Sequence, residues 1–120
     1  MLKTKRRVIA QVMICYGCCC GHVDRGRPEV PVEWLKQEWR RRGLLKRVQL
    51  TISGCLGPCD VPNVVAVVMQ EHTVWLGNIS RREQYQSLLD WASRSKDSGG
   101  AIELPRDLTA HLLEDPVGSG

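Results

Sequence analysis

The feature that most constrains the fold is the placement of the cysteines. All six lie in two short clusters, at 15–20 and 55–59, and each cluster follows a run of residues with strand character. The spacings are Cys15-x4-Cys20 and Cys55-x3-Cys59, with Cys18 and Cys19 inside the first loop. Residues 8–14 are rich in β-branched side chains and mostly apolar on both faces, which predicts a central strand leading straight into Cys15. Val48, Leu50 and Ile52 alternate with Gln49, Thr51 and Ser53, the period of a half-buried strand ending at Gly54-Cys55. Between the two, Pro31 suits the first turn of a helix, and Val32, Leu35 and Trp39 recur at helical spacing until Gly43 stops it. A β-α-β crossover joins parallel strands in one sheet, so both cysteine loops should emerge at the same edge and meet.

The rest of the chain completes that unit. Residues 64–69 and 73–76 read as two strands joined by Gln70-Glu71-His72, short enough for an antiparallel hairpin. Ser80-x-x-Glu83 has the form of a capping box, and Tyr85, Leu88, Leu89 and Ala92 supply an apolar stripe for a second helix over about 81–94. The predicted class is α/β, a mixed four-stranded sheet with two helices in the order β-α-β-β-β-α. A domain of this size buries roughly two-thirds of its unfolded surface, enough for a core without disulfide staples. Residues 1–96 form the expected domain. Residues 97–120 contain one weak helical pattern, Leu104, Leu108, Leu112 and Leu113, and are expected to be a flexible or loosely docked tail.

Charge follows the same division. The net charge is +4, but residues 1–96 carry sixteen Lys and Arg against eight Asp and Glu, while 97–120 carry Arg106 against five acids. A basic body suits an acidic protein partner, and no nucleic-acid-binding motif accompanies Arg40-Arg41-Arg42 or the basic start. The start imitates a secretion signal, yet Gln11 interrupts its apolar run and no small-residue cleavage site follows before the cysteines. The longest apolar stretch, 64–69, is far short of the roughly 20 residues of a membrane helix. A soluble, cytoplasmic protein without membrane association is expected, and homodimer formation is open.

Three chemistries compete for the cysteines. Four thiolates from two loops can enclose an iron–sulfur cluster, whose anionic charge calls for backbone N–H donors and closely folding loops; Gly17, Gly21, Gly54 and Gly57 suit such turns. Four cysteines also suffice for structural zinc, which usually prefers C-x2-C knuckles. Cys15-Tyr16-Gly17-Cys18 is itself a C-x-x-C after a strand, as in thiol–disulfide exchange, although glycines and Pro28 delay the helix that would follow it. His22, His72 and His111 do not form the pair a Rieske centre requires. Trp34, Trp39, Trp75 and Trp91 occupy core-like positions. No set of residues for substrate chemistry is apparent, so the chain alone is not expected to be an enzyme.

At these residues the chain resembles the thioredoxin-like [2Fe-2S] ferredoxins, a family that includes the ferredoxin-like small subunit of respiratory complex I and free-standing ferredoxins, some linked to cobalt chelation. The resemblance spans about residues 7–94. It rests on the two cysteine pairs, on Ser53-Gly54-Cys55-Leu56-Gly57-Pro58-Cys59, and on Val74-Trp75-Leu76-Gly77. It implies a thioredoxin-like fold and a [2Fe-2S] cluster held by Cys15, Cys20, Cys55 and Cys59, with Cys18 or Cys19 as substitutes for Cys20. It also implies a one-electron carrier serving a redox partner protein. A zinc- or cluster-binding accessory or sensor, or a thiol–disulfide oxidoreductase using Cys15 and Cys18, is the alternative.

Overall fold

The computed structural model describes residues 8–17, 20–21, 23–25, 29–54, 56, 60–70 and 72–113. Four strands, β1 (Ala10–Cys15), β2 (Val48–Ser53), β3 (Val65–Met69) and β4 (Thr73–Leu76), form one sheet in the order β2-β1-β3-β4. Helix α1 (Val32–Arg41) connects the parallel pair β1 and β2, and α2 (Arg82–Ser98) follows the antiparallel β3–β4 hairpin. The predicted element order therefore stands, with additions: a 3-10 turn at Val23–Arg25 and a third short helix, α3 (Arg106–Thr109).

Register explains why the sheet buries one face. Leu50, Val12, Val67 and Val74 align across the four strands, as do Ile52, Ile14, Val65 and Leu76. Both rows belong to or pack against the core with Leu35 and Trp39 of α1 and with Tyr85, Leu88, Leu89, Trp91 and Ala92 of α2. Successive strand side chains alternate faces, so the rows between them point the other way. One of these, Thr51, Met13, Ala66 and Trp75, is half-buried apart from Ala66. β1 is central as expected, but only one of its faces is wholly apolar. Gln11 on the second face binds Thr51 through Nε2 to Oγ1 at 2.6 Å.

Trp39 anchors α1 to the sheet by donating Nε1–H to the carbonyl of Val48 at 2.7 Å. The entry of α2 departs from the expected frame by one residue. Gln84, not Glu83, reaches back: its Oε1 accepts the backbone N–H groups of Ser80 and Arg81 at 2.8 and 2.9 Å. Arg81 in extended conformation is the N-cap, because the buried Gln84 can reach both orphan donors whereas exposed Glu83 points to solvent. The helix also runs four residues beyond the expected end, through the anticipated boundary at 96/97, because Trp91, Ala92 and Ser95 continue the buried stripe.

Residues 101–113 pack on the body. Trp91 Nε1 donates to the Ile102 carbonyl at 2.7 Å and Leu108 is fully buried. Leu112 bridges to Leu76 in antiparallel fashion, and the N–H of Leu113 donates to the Trp75 carbonyl at 2.8 Å. This segment thus covers part of the outer edge of β4, where unpaired strand groups need partners. His111 completes the attachment. Gln84 Oε1 is occupied by two backbone donors, so its Nε2 donates to His111 Nε2 at 2.7 Å, and His111 Nδ1–H donates to the Gly77 carbonyl at 2.8 Å.

Candidate metal centre

β1 delivers Cys15 to the end of the sheet, and its register partner on β2 is Ser53. The end of β2 therefore lies beside Cys15. Cys55 and Cys59, like Cys18 and Cys19, lie outside the described residues, so the structure places two of the six cysteines.

Those two are brought together. Cys15 and Cys20 are 3 % and 1 % exposed and share a small apolar cluster with Val64, against which Leu56, Val61 and Trp75 pack. It is separate from the main core, at the cysteine end of β1. The loop between them is closed by Gly17 N–H to the Cys20 carbonyl at 3.1 Å, and Tyr16 N–H binds the Ser53 carbonyl at 2.9 Å. Gly21 follows with φ +71°, a left-handed conformation open to glycine at little cost.

The polar contacts at the cysteines converge on one short segment before β3. Val64 accepts the Cys15 N–H through its carbonyl at 3.1 Å and donates its own N–H to Cys20 Sγ at 3.3 Å. An N–H aimed at sulfur stabilises negative charge on it where water is excluded. Next to it, fully buried Asn63 accepts the Gly21 N–H on Oδ1 at 2.8 Å and directs Nδ2 toward the Tyr85 hydroxyl and the Glu29 carbonyl, both at 3.4 Å. Burial, opposed by the hydrogen bond with Asn63 and reinforced by the nearby Cys20 and Cys15, pushes the Tyr85 hydroxyl well above its ordinary range, so it remains protonated. Asn63 was not singled out in the sequence. Its only local signal is a polar side chain just before the apolar run that becomes β3.

Tyr16, 46 % exposed, borders a surface groove of about 670 Å³ that also takes in Trp34, Lys36, Ile52 and Arg82. The Arg82 guanidinium lies 4.7 Å from the centre of the Trp34 ring, a cation–π contact. His111 is engaged in the tail as described, and His72 lies in the exposed hairpin connection. His22 is outside the described residues.

No protein-family model and no curated protein sequence matches this chain. Its backbone is nevertheless similar to the crystal structure of a wild-type thioredoxin-like [2Fe-2S] ferredoxin from Aquifex aeolicus, with a TM-score of 0.52 at 15 % identity over 90 % of this chain and 99 % of that one. The fold is thioredoxin-like. The mixed sheet with flanking helices accords with that likeness, and the third helix, α3, is an addition to the two expected from sequence. Among the described residues, no helix is long and apolar enough to cross a membrane.

Proposed function

We propose that this chain is a one-electron carrier that binds a [2Fe-2S] cluster through Cys15, Cys20, Cys55 and Cys59. The observation that carries the reading is the pair of buried thiols at the end of β1, with a backbone N–H directed at Cys20 Sγ. The donor chemistry fits: buried sulfur ligands, with one N–H aimed at Cys20 Sγ, suit an anionic cluster. A ferredoxin of the same fold is a further support. When bound, a [2Fe-2S] group supplies reversible one-electron oxidation and reduction. The chain's own part is to hold the thiolates, exclude water through Val64, Leu56 and Trp75, and set the potential by hydrogen bonds to sulfur.

Thiol–disulfide exchange by Cys15 and Cys18 is less well supported. In that chemistry the second cysteine lies inside a helix, and among the described residues the first α-helix begins at Val32.

The partner is a redox protein with an acidic docking surface. It docks at the cysteine end of the sheet, at the groove beside Tyr16, whose lining carries Lys36 and Arg82 together with Glu29 and Glu33. Arg40–Arg42 suit that role less well. Arg41 pairs with Glu38 at 2.6 Å and Arg42 with Asp90 at 3.0 Å. They also end α1 near the start of β1, where Ile9 N–H binds the Arg47 carbonyl. Ala10 at that end and Cys15 lie at opposite ends of the six-residue β1, about 17 Å apart at strand rise. Electron transfer that loses rate with salt in the wild type but not in Lys36→Ala/Arg82→Ala supports this docking site.

Anaerobic purification with iron, zinc and acid-labile sulfide quantified beside the visible spectrum tests the function. Equal iron and sulfide, with a red-brown colour bleached by dithionite, is the expected result. A colourless protein holding one zinc, or a metal-free dithiol, overturns it.

A further inference from the structure

We infer that Asn63 is a positioning residue for the second thiolate, and that Tyr85 holds Asn63 in place. The inference rests on the cluster-binding reading above and concerns a residue outside the cysteine set. Asn63 is 0 % exposed, and such a polar side chain is costly to bury unless its groups are satisfied. Its amide orientation follows from its partners: the oxygen must face the Gly21 N–H, which can only donate, and the nitrogen then faces the Glu29 carbonyl and the Tyr85 hydroxyl.

Three attachments fix this amide relative to the fold. The Asn63 carbonyl accepts the Ile79 N–H at 3.1 Å, and the neighbouring Val61 carbonyl accepts the Asn78 N–H at 2.9 Å, tying the segment to the chain before α2. Tyr85, 1 % exposed on the first turns of α2, meets Nδ2 from the other side. The Asn63 oxygen then pins Gly21, the residue directly after Cys20, while the next residue, Val64, presents its N–H to Cys20 Sγ. One rigid segment therefore sets both the backbone beside Cys20 and the donor to its sulfur. Removing the Asn63 amide leaves Gly21 N–H unpaired and frees Cys20 to drift from Val64.

The consequence is electrostatic as well as geometric. An N–H to a ligating sulfur stabilises the reduced state more than the oxidised one, because reduction adds negative charge, so losing it lowers the midpoint potential. In Asn63→Ala the expected change is about tenfold in the reduction equilibrium, a fall of about 59 mV for a one-electron couple. Iron release to a chelator should accelerate about 10- to 100-fold, the usual range for losing such a supporting contact. Tyr85→Phe keeps the ring and removes only the hydroxyl, and should shift both readouts in the same direction by less.

The test reconstitutes wild type, Asn63→Ala, Tyr85→Phe and a distant core control, Trp91→Phe, and measures sulfide content, midpoint potential and chelation rate. Wild type without sulfide defeats the cluster reading itself, and this inference with it. Wild type loaded normally, with Asn63→Ala unchanged in potential, overturns the positioning role alone. If Asn63→Ala does not fold, Tyr85→Phe decides: a lowered potential and faster iron release support the role, and values matching wild type overturn it. A Trp91→Phe shift as large as that of Asn63→Ala would show a general loss of stability and also overturn it.

Discussion

Gly21→Ala is the perturbation that most directly tests how tightly the first cysteine loop is built. A Cβ at this position would stand 2.9 and 3.0 Å from Cδ1 and Cε1 of Tyr16 and 3.1 Å from Cγ2 of Val30, while the backbone remains at φ +71°. Holding a non-glycine residue in the left-handed region costs about 1–2 kcal/mol. Steric crowding adds about 1–3 kcal/mol. The lower half of that range applies, since the exposed Tyr16 ring can swing outward although buried Val30 cannot. The destabilisation should therefore be about 2–4 kcal/mol, or about 1–2 M in urea midpoint for a slope near 2 kcal/mol per M. Two other glycines separate the contributions. Gly17→Ala meets open space but keeps φ +113°, so it should show the backbone cost alone. Gly54→Ala meets open space and has no positive φ, so it should change stability by less than about 0.5 kcal/mol. Adding Tyr16→Ala to Gly21→Ala should recover part of the loss, a coupling read from a double-mutant cycle. If Gly21→Ala unfolds at the same urea concentration as Gly54→Ala, the described loop geometry is wrong.

Three further outcomes are expected. Serine at Cys15, Cys20, Cys55 or Cys59 should abolish sulfide-dependent colour, whereas Cys18→Ser and Cys19→Ser should keep wild-type yield; loss in either of the latter pair would reassign the second ligand. Leu108→Ala removes the buried anchor of α3, a change worth about 2–5 kcal/mol in a rigid core. At this edge it should release residues 101–113, so exchange should quicken at the Leu113 and Gly77 amides and not at Val12 or Val67; uniform acceleration would argue against a separately docked segment. Glu38 accepts a hydrogen bond from Arg41, which, opposed by burial and aided by the charges of Arg41 and Arg42, holds its carboxyl below the ordinary 4.5. A depressed carboxylate stabilises the fold above its unfolded value and loses that contribution as pH falls through the folded one. Glu38→Gln should therefore flatten the acid limb of stability below about pH 4.5, and an unchanged limb would show the pair contributes nothing.

Much of this architecture was readable because local pattern and tertiary need agree. Strand period placed β1, β2, β3 and β4 within two residues, and the crossover logic put Cys15 beside the end of β2, since parallel strands joined by a helix leave little choice of edge. The frame of α2 was harder. Ser80 and Glu83 satisfy a capping pattern as letters, but Gln84 caps, because burial against His111 decides which acceptor turns inward and burial is a tertiary fact. The same cause hid the packing of 101–113. Leu108 looks like one leucine in a weak pattern until β4 presents an open edge for the chain to cover.

The centre itself divides along the same line. Cysteines announce themselves by chemistry, so a candidate donor set could be read, and Cys15 and Cys20, its two members within the described residues, meet in a buried cluster. What orients them was not legible. Asn63 gains its meaning only when the segment before β3 crosses between the first cysteine loop and α2, making one amide touch Gly21 and Tyr85 at once. A sequence lists ligands readily because they must be particular elements; it conceals their supports because any suitably placed hydrogen-bonding side chain can serve. Tuning by such supports can therefore vary while the cysteines stay fixed. On the proposed reading, a reduction potential in this chain can be altered at residue 63 without replacing a ligand.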